Sequence, residues 1–424
     1  VRNPLEAALP TGENPRRHAR ELARMREATI TGVVDQQHPR SVIAESWHRM
    51  GRLGVDPDRG KLAPVMPAEE VEFRRQDSGL AEVLPILRNG LVRLAEESGH
   101  IMVVADRDGQ ILWRDGSRVV LHRADQLGFR VGANWHENVV GTNAIGTALV
   151  AQRAVQVFSA EHYVRTHHVW TCAAAPLRSP RDGRVIGVVD ISGPAATINA
   201  TTLALVDAVA QLAETQLRLR HLVELERLRR LALPALVRLD GTALAVDTDG
   251  WVAASTGLVT MDRIALPSSV AAGNIWLPGY GTCRVEPLPG GWIVRIEGRH
   301  ADAAPTSIVL DLTGPDAELQ ISGPDTTWCH GLTPRHAEIC YLLFRHPTGR
   351  SARQLALDLF GDSGRVGTVR AEMSRLRHSF SGIIRSRPYR LADGLQTRLL
   401  LPPAPEQLLP FSTAPAIRGA HLPR

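Results

Sequence analysis

The stretch WHENVVGTNAIGTALV runs from Trp135 to Val150, and its character persists through Glu161 and His162 to Trp170, Thr171 and Cys172. Gly141, Gly146 and Thr147 interrupt what would otherwise be a plain amphipathic helix. Polar Glu137, Asn143, His162 and Cys172 are interleaved with Ala, Ile, Val and Leu. An apolar surface carrying a few convergent polar groups suits a small-molecule pocket better than an ordinary core helix. Trp135, Glu137, Asn143, His162, Trp170 and Cys172 are therefore the candidate ligand-binding residues. Each also has a plainer reading. Trp135 and Trp170 fill a core equally well, and Thr142 and Asn143 suit the cap of a helix beginning near Thr142. Cys172 is either a redox thiol or an inert buried cysteine, since reactivity needs a lowered pKa or exposure.

On both sides of this stretch the periodicity is that of strands. Upstream, HIMVVADRDGQILWRDG reads as a β-hairpin about Asp108-Gly109. Downstream, Ala154 to Phe158 is a strand, and Cys172 to Leu177 pairs with Arg184 to Ser192 across Asp182-Gly183. Before the hairpin come a flexible lead, a helix from about Pro15 to Thr29, and a second from Ser41. There Ser41 is the expected N-cap, and Ile43, Trp47 and Met50 form the apolar stripe. A longer helix is expected from Ala68 to Ser98, kinked at Pro85. This order predicts an α/β sandwich with a central antiparallel sheet. A helix from Asn199 to Leu231, ended by Pro234, carries Val206, Val209, Leu212, Leu219 and Leu222 at heptad-like steps. It packs on its own domain or pairs with the same helix of a second subunit. Leu236 to Gly323 alternates short strands with turns and reads as a β-rich connector.

The chain of 424 residues is long enough for two to four domains. No apolar run reaches membrane-spanning length, and the first twenty residues lack the apolar region of a secretory leader. Val1 reads as the product of an alternative start codon. The four cysteines form no CxxC pair, which argues against disulfides and structural zinc and for a cytoplasmic protein. Of 49 basic residues only Lys61 is lysine. From Gly331 to Leu400, 12 arginines face 5 acids, a surplus of 7 against +5 for the whole chain. A basic module on a near-neutral body points to nucleic acid.

That module begins LTPRHAEICYLLFRHPTG, with Thr333 as cap and Pro334 in the first turn. A short helix follows Ser351. A third, capped by Thr368, buries Val369, Met373, Leu376 and Phe380. The segment IIRSRPYRLADGLQTRLLL reads as two strands about Asp393-Gly394. Three helices and a β-hairpin make a winged helix. Arg370, Ser374, Arg375, Arg377 and His378 face outward on the third helix, and Arg385, Arg387 and Arg390 lie at the base of the hairpin. These are the candidate DNA-binding residues, since a helix of this kind fits the major groove and arginine bonds guanine O6 and N7 together.

The segment from Ser41 to about Leu228 resembles the sensor half of acetoin-operon type activators, which contains a GAF domain. The resemblance rests on SVIAESWHRMGRLGVDP, VVGTNAIGTAL, EHY, WTCAAAPL and GVVDISG. The C-terminal unit is similar to the winged helix-turn-helix of response regulators, from EMSRLR and RPYRLADG. The whole resembles the GAF-containing regulators of actinobacteria. The resemblance implies a small-molecule effector. One departure stands out: the ATPase module of those activators is missing, with neither GxxxxGK[ST] nor GAFTGA present.

The fold expected is thus α+β multidomain: a GAF-type α/β sensor, a β-rich connector and a winged helix-turn-helix. The boundaries are 1–66 for an N-terminal helical segment, 67–198 for the sensor and 199–233 for a signalling and dimerisation helix. They continue with 234–325 for the connector, 331–401 for the DNA-binding domain and 402–424 for a disordered tail. The expected function is a one-component transcription regulator acting without ATP hydrolysis. Its partners are double-stranded DNA, a small effector, a second copy in a homodimer and RNA polymerase, with no membrane. Enzyme readings fail: His136-Glu137 begins an HExxH motif but Val140 stands where the second ligand belongs, and no GxSxG or GxGxxG is placed to act. No cofactor or metal is expected. One alternative is a redox or gas sensor using Cys172 or a cofactor held by His162, His167 or His168, although adjacent histidines diverge. The other is a signalling adaptor that binds no DNA and dimerises through the long helix.

Overall fold

The computed structural model describes residues 5–420 apart from 6, 10–11, 34–36, 59–64, 258–261, 268, 278–279, 298–306, 315, 324–326, 381–382 and 411. The side chains of Trp328, His378, Ser379 and Glu406 are likewise outside the described set. Two compact units divide the chain, Val1–Leu219 and Arg220–Arg424.

In the first unit, α1 (Pro15–Thr31) is capped by Asn14, whose side chain accepts from the Arg16 and Arg17 amides, and ends at left-handed Gly32. Helix α2 (Ser41–Arg52) buries Val42, Ile43, Trp47 and Met50. Ser41 is its first helical residue and not its cap; Arg40 holds that position without a side-chain bond. The single kinked helix expected from Ala68 to Ser98 is two helices, α3 (Ala68–Asp77) and α4 (Leu84–Glu97), separated by a 3-10 turn. The break lies at Gly79, which adopts φ 69°, a conformation that favours glycine. Pro85 sits in the first turn of α4, where its missing N–H removes no helical bond.

Strands β1 (Ile101–Asp106) and β2 (Ile111–Gly116) form the expected hairpin, followed by α5 (Arg118–Gln126). Two short helices, α6 (Glu137–Val140) and α7 (Ala144–Ala151), lead to β3 (Val155–Phe158), β4 (Trp170–Arg178) and β5 (Val185–Pro194). The five strands run in the order β2-β1-β5-β4-β3, every pair antiparallel. Alternation along the strands divides the core. Ile101, Val103 and Ala105 pack with residues of α2, α5 and α7, while Met102 and Val104 pack with α4 and the long helix α8 (Ala200–Leu236). Helix α8 runs on through Pro234, which does not end it. One lost backbone bond is offset there by burial of Ala232 and Leu236 against Ala243, Ala245 and Ile293.

The second unit begins with β6 (Ala243–Asp247), β7 (Val252–Thr256), β8 (Gly273–Leu277), β9 (Gly281–Leu288) and β10 (Gly291–Ile296). Their antiparallel order, β7-β6-β10-β9-β8, repeats that of the first sheet. Next come β11 (Ser307–Asp311), β12 (Glu318–Ser322) and β13 (Thr327–Gly331), then α9 (Pro334–Arg345), α10 (Ala352–Phe360) and α11 (Val366–Ser379). Thr333 and Ser351 cap α9 and α10 with their side chains. Helix α11 starts three residues earlier than expected, with Arg365 at the cap position, so Thr368 lies inside it and is not its cap.

The hairpin expected about Asp393-Gly394 does not form. Two-residue strands β14 (Ile384–Arg385) and β15 (Arg390–Leu391) pair with each other instead. After the turn, β16 (Gln396–Leu400) runs parallel to β11 and closes the sheet β13-β12-β11-β16. It thereby satisfies the open backbone edge of β11. The tail expected to be disordered is folded over its described length. Its Leu408, Ala414 and Ile417 join the core beneath α9 to α11, and α12 (Pro415–Ala420) closes the described chain. The apolar residues of that tail are enough to hold it to the core despite its prolines.

Candidate functional site

The polar residues of the Trp135–Cys172 stretch turn largely inward. Asn143 caps α7 through the Gly146 amide at 3.0 Å. Its amide nitrogen donates to the carbonyls of Trp135 at 3.0 Å and Gly141 at 2.9 Å. Gly146 is required by the close approach of α7 to α6, since a Cβ there would lie 2.2 Å from the Glu137 nitrogen. The Glu137 side chain is 1% exposed and paired with Arg49 of α2. It also accepts from the Ser46 hydroxyl at 2.8 Å and the Thr147 hydroxyl at 3.2 Å. Glu161 is held in the same way, by a two-pronged Arg40 at 2.9 and 2.8 Å and by the Phe158 amide at 2.9 Å. Two carboxylates that look chemical in the sequence are thus the buried anchors of the N-terminal arginines.

A second cluster lies toward β4. His162 donates from Nδ1 to the Ser159 carbonyl at 2.9 Å, which leaves the Nε2 lone pair 3.6 Å from the Cys172 sulfur. Burial, reinforced by neighbouring His167, pushes the His162 pKa down to about 3. Burial likewise lowers His167 and His168 to about 4. Desolvation, followed by the charge of Asp190, raises the Cys172 thiol well above its ordinary value. The pair is therefore a neutral thiol facing a neutral imidazole, without the thiolate that nucleophilic or redox chemistry uses. Asp190 is fully buried; its Oδ2 accepts from Ser192 at 2.5 Å and desolvation raises its pKa to about 7. Trp135 packs against Phe129 and His167 with tilted rings, centroids 4.2 and 5.2 Å apart, and is itself buried.

A cleft of about 430 Å³ opens beside this cluster, with α5 on one side and the segment from Thr166 to Trp170 on the other. Of the six candidate residues, Trp170 lines it. Cys172 borders a void of about 10 Å³. Trp135, Glu137, Asn143 and His162 are engaged in the packing and bonds above. Sequence reasoning missed the α5 wall, although Val120, Ala124 and Leu127 at steps of four and three were its signal.

In the second unit, Val369, Met373, Leu376 and Phe380 are buried as expected, and Arg370, Ser374, Arg375 and Arg377 are exposed. Arg375 is paired with Glu372 at 2.8 Å. The His378 side chain lies outside the described residues. Arg385 and Arg387 are exposed, whereas Arg390 is half-buried and bonded to Asp393. Between α9 and α10, Arg350 exchanges backbone bonds with Tyr389 at 2.8 and 2.9 Å, which ties the helices to the β14–β15 turn.

Residues 19–217 match the MimR N-terminal domain family. Over 405 residues, 93% of this chain and 74% of the relative, the chain is 31% identical to an uncharacterized 47.3 kDa protein in the thcA 5′ region of Rhodococcus erythropolis. It is 37% identical over 188 residues to the acetoin dehydrogenase operon transcriptional activator AcoR of Bacillus subtilis, covering 44% of this chain and 31% of that protein. It is 31% identical over 175 residues to the propane 2-monooxygenase operon transcriptional activator MimR of Mycolicibacterium smegmatis, covering 41% and 29%. The chain thus spans under a third of each activator but most of the Rhodococcus protein. The chain belongs to the family of that Rhodococcus protein, with a MimR N-terminal domain and homology to the activators of acetoin and propane operons.

Proposed function

We propose that the chain is a one-component, DNA-binding transcription regulator that senses a small effector through a GAF-type domain and acts without hydrolysing ATP. The observation that carries this reading is the division of α11. Its Val369, Met373, Leu376 and Phe380 are buried, while Arg370, Ser374 and Arg377, at steps of four and three, form an exposed basic stripe. Such a stripe suits the major groove, with Arg385 and Arg387 toward phosphate. The Arg350–Tyr389 bridge and the β14–β15 turn support reading α9 to α11 as a winged helix-turn-helix. The sensor spans 67–198, the connector 234–325 and the DNA-binding domain 331–401. The effector site is the cleft that Trp170 lines, behind which Trp135, Glu137, Asn143 and His162 are packed; Cys172 borders a separate void of about 10 Å³.

The long helix α8, expected over 199–233 and extending to Leu236, is the signalling and dimerisation helix. Leu212, Leu219, Leu222 and Val223 are all more than half exposed on α8 and supply an apolar seam for a second copy. No phosphate loop occurs in these 424 residues, so on this reading the chain acts beside the promoter on RNA polymerase directly. Among the described residues no helix is long and apolar enough to cross a membrane. The test is fluorescence anisotropy on labelled DNA from the protein's own upstream region. The Arg370→Glu/Arg377→Glu double variant should lose binding, and wild-type affinity should fall steeply with salt. Retained binding by that variant would remove the winged-helix reading.

A further inference from the structure

We propose that the cleft between α5 and the Thr166–Trp170 segment is a binding site for a small organic carboxylate with an apolar body. On one side, Val120, Arg123 and Gln126 recur at three-residue steps along α5, followed by its C-cap Leu127. Across from them lie Thr166, Val169, Trp170 and Pro194. The floor is rigid: Trp170 and Pro194 are paired residues at the end of the β4–β5 ladder, and the Ala195 amide donates to Val169 at 2.8 Å. At about 430 Å³ the cleft is of the size that small ligands occupy.

Its chemistry selects the ligand. Four apolar side chains and Trp170 offer a surface for a hydrocarbon or aromatic body. Arg123 is the one charged residue among those lining the cleft, and no carboxylate lines it. The nearest acid in sequence, Asp125, is bonded to Arg114 at 2.6 Å. A guanidinium facing an apolar cleft favours a planar anion held by two parallel bonds, and Gln126 and Thr166 supply further polar groups. The last carbonyls of α5 repel an anion, so the carboxylate lies toward Arg123, with the body over Trp170. Val169, among the lining residues, is itself exposed and leaves apolar surface open to a ligand.

Binding here stands apart from any effect on DNA; only its use as a signal rests on the regulator reading. The test is calorimetric titration of the full chain with benzoate, phenylacetate and hexanoate, each against its primary amide. At least one acid should bind, and its amide should bind at least about tenfold more weakly, the factor that ~1.4 kcal/mol represents. Arg123→Gln should lose about tenfold for the acid and nothing for the amide, with Arg123→Lys intermediate. A fluorescence change on binding should vanish in Trp170→Phe, and Val169→Phe, which fills the cleft from an exposed position, should block both ligands. The proposal is overturned if no acid binds at millimolar concentration, if acid and amide bind alike, or if Arg123→Gln leaves acid binding unchanged. DNA anisotropy on the same samples keeps the readings separate. Acid binding without DNA binding removes the regulator and leaves the site, and the converse removes the site alone.

Discussion

Replacing Arg49 by methionine should destabilise the first unit more than replacing Glu137 by glutamine, although the two changes break the same ion pair. The Glu137 side chain is 1% exposed and Arg49 is 19% exposed. Arg49→Met strands a carboxylate in the core, where only the Ser46 and Thr147 hydroxyls remain to it. Breaking a buried pair by removing one partner costs about 3–5 kcal/mol, and the two hydroxyl bonds place this case near the lower figure. Glu137→Gln leaves a guanidinium that can turn toward water, and the amide keeps an acceptor, so about 1–2 kcal/mol is expected. The double variant removes both charges and should be more stable than Arg49→Met alone. The assay is urea unfolding followed at the tryptophans, with thermal melting as a second measure. A loss of ~3 kcal/mol in a unit of this size lowers the melting temperature by roughly 6–12 °C. The reasoning fails if Glu137→Gln costs as much as Arg49→Met, or if the double variant is the least stable of the three.

Acid should destabilise the first unit, and Asp190→Asn should make that loss steeper. His162, at about 3, and His167 and His168, at about 4, take up protons on unfolding below their ordinary value, so their stabilisation is lost as pH falls from about 6.5 toward 4. Asp190, raised to about 7, releases its proton on unfolding and opposes this slope over the same window. Urea midpoints across that range decide it, and an unchanged slope in Asp190→Asn would count against the buried carboxyl. In DNA anisotropy, Arg370→Ala or Arg377→Ala should cost about 1–3 kcal/mol if these residues read bases. Arg375→Ala should cost less, because Glu372 already holds that side chain. Ile417→Ala should destabilise the second unit by roughly 2–4 kcal/mol in thermal melts, since its side chain is fully buried; a silent change would mean the tail is not part of that core.

What the sequence makes legible follows from which interactions are local. Strand alternation, the Asp-Gly turns and the cap at Thr333 depend on residues a few positions apart, and pattern reading reaches them, whereas the caps expected at Ser41 and Thr368 do not form. The destination of Gln396–Leu400 does not. A strand after an Asp-Gly turn has a local partner available, and only the open edge of β11 decides otherwise. The folded tail is similar: Leu408, Ala414 and Ile417 are few and far between among prolines, and their burial depends on a core assembled elsewhere. Pro234 does not end α8 for the same reason, because one lost backbone bond is smaller than the burial of Ala232 and Leu236.

The candidate site shows the same limit in its charges. Glu137 reads as a chemical group, and Glu161 beside it as part of the same stretch, because a carboxylate in an apolar context carries a large desolvation cost and so invites a functional explanation. Their partners, Arg49 and Arg40, lie 88 and 121 residues away in a segment that reads as a separate N-terminal unit. Once those partners are known, the carboxylates explain themselves. Asp190 is then a buried acid without a counter-ion among the described residues, its Oδ1 unbonded. Arg123, exposed on α5, is the charged residue among those lining the apolar cleft floored by Trp170. Partners remote in sequence hide a structural carboxylate, and a charge beside a cleft is legible only once the cleft has formed.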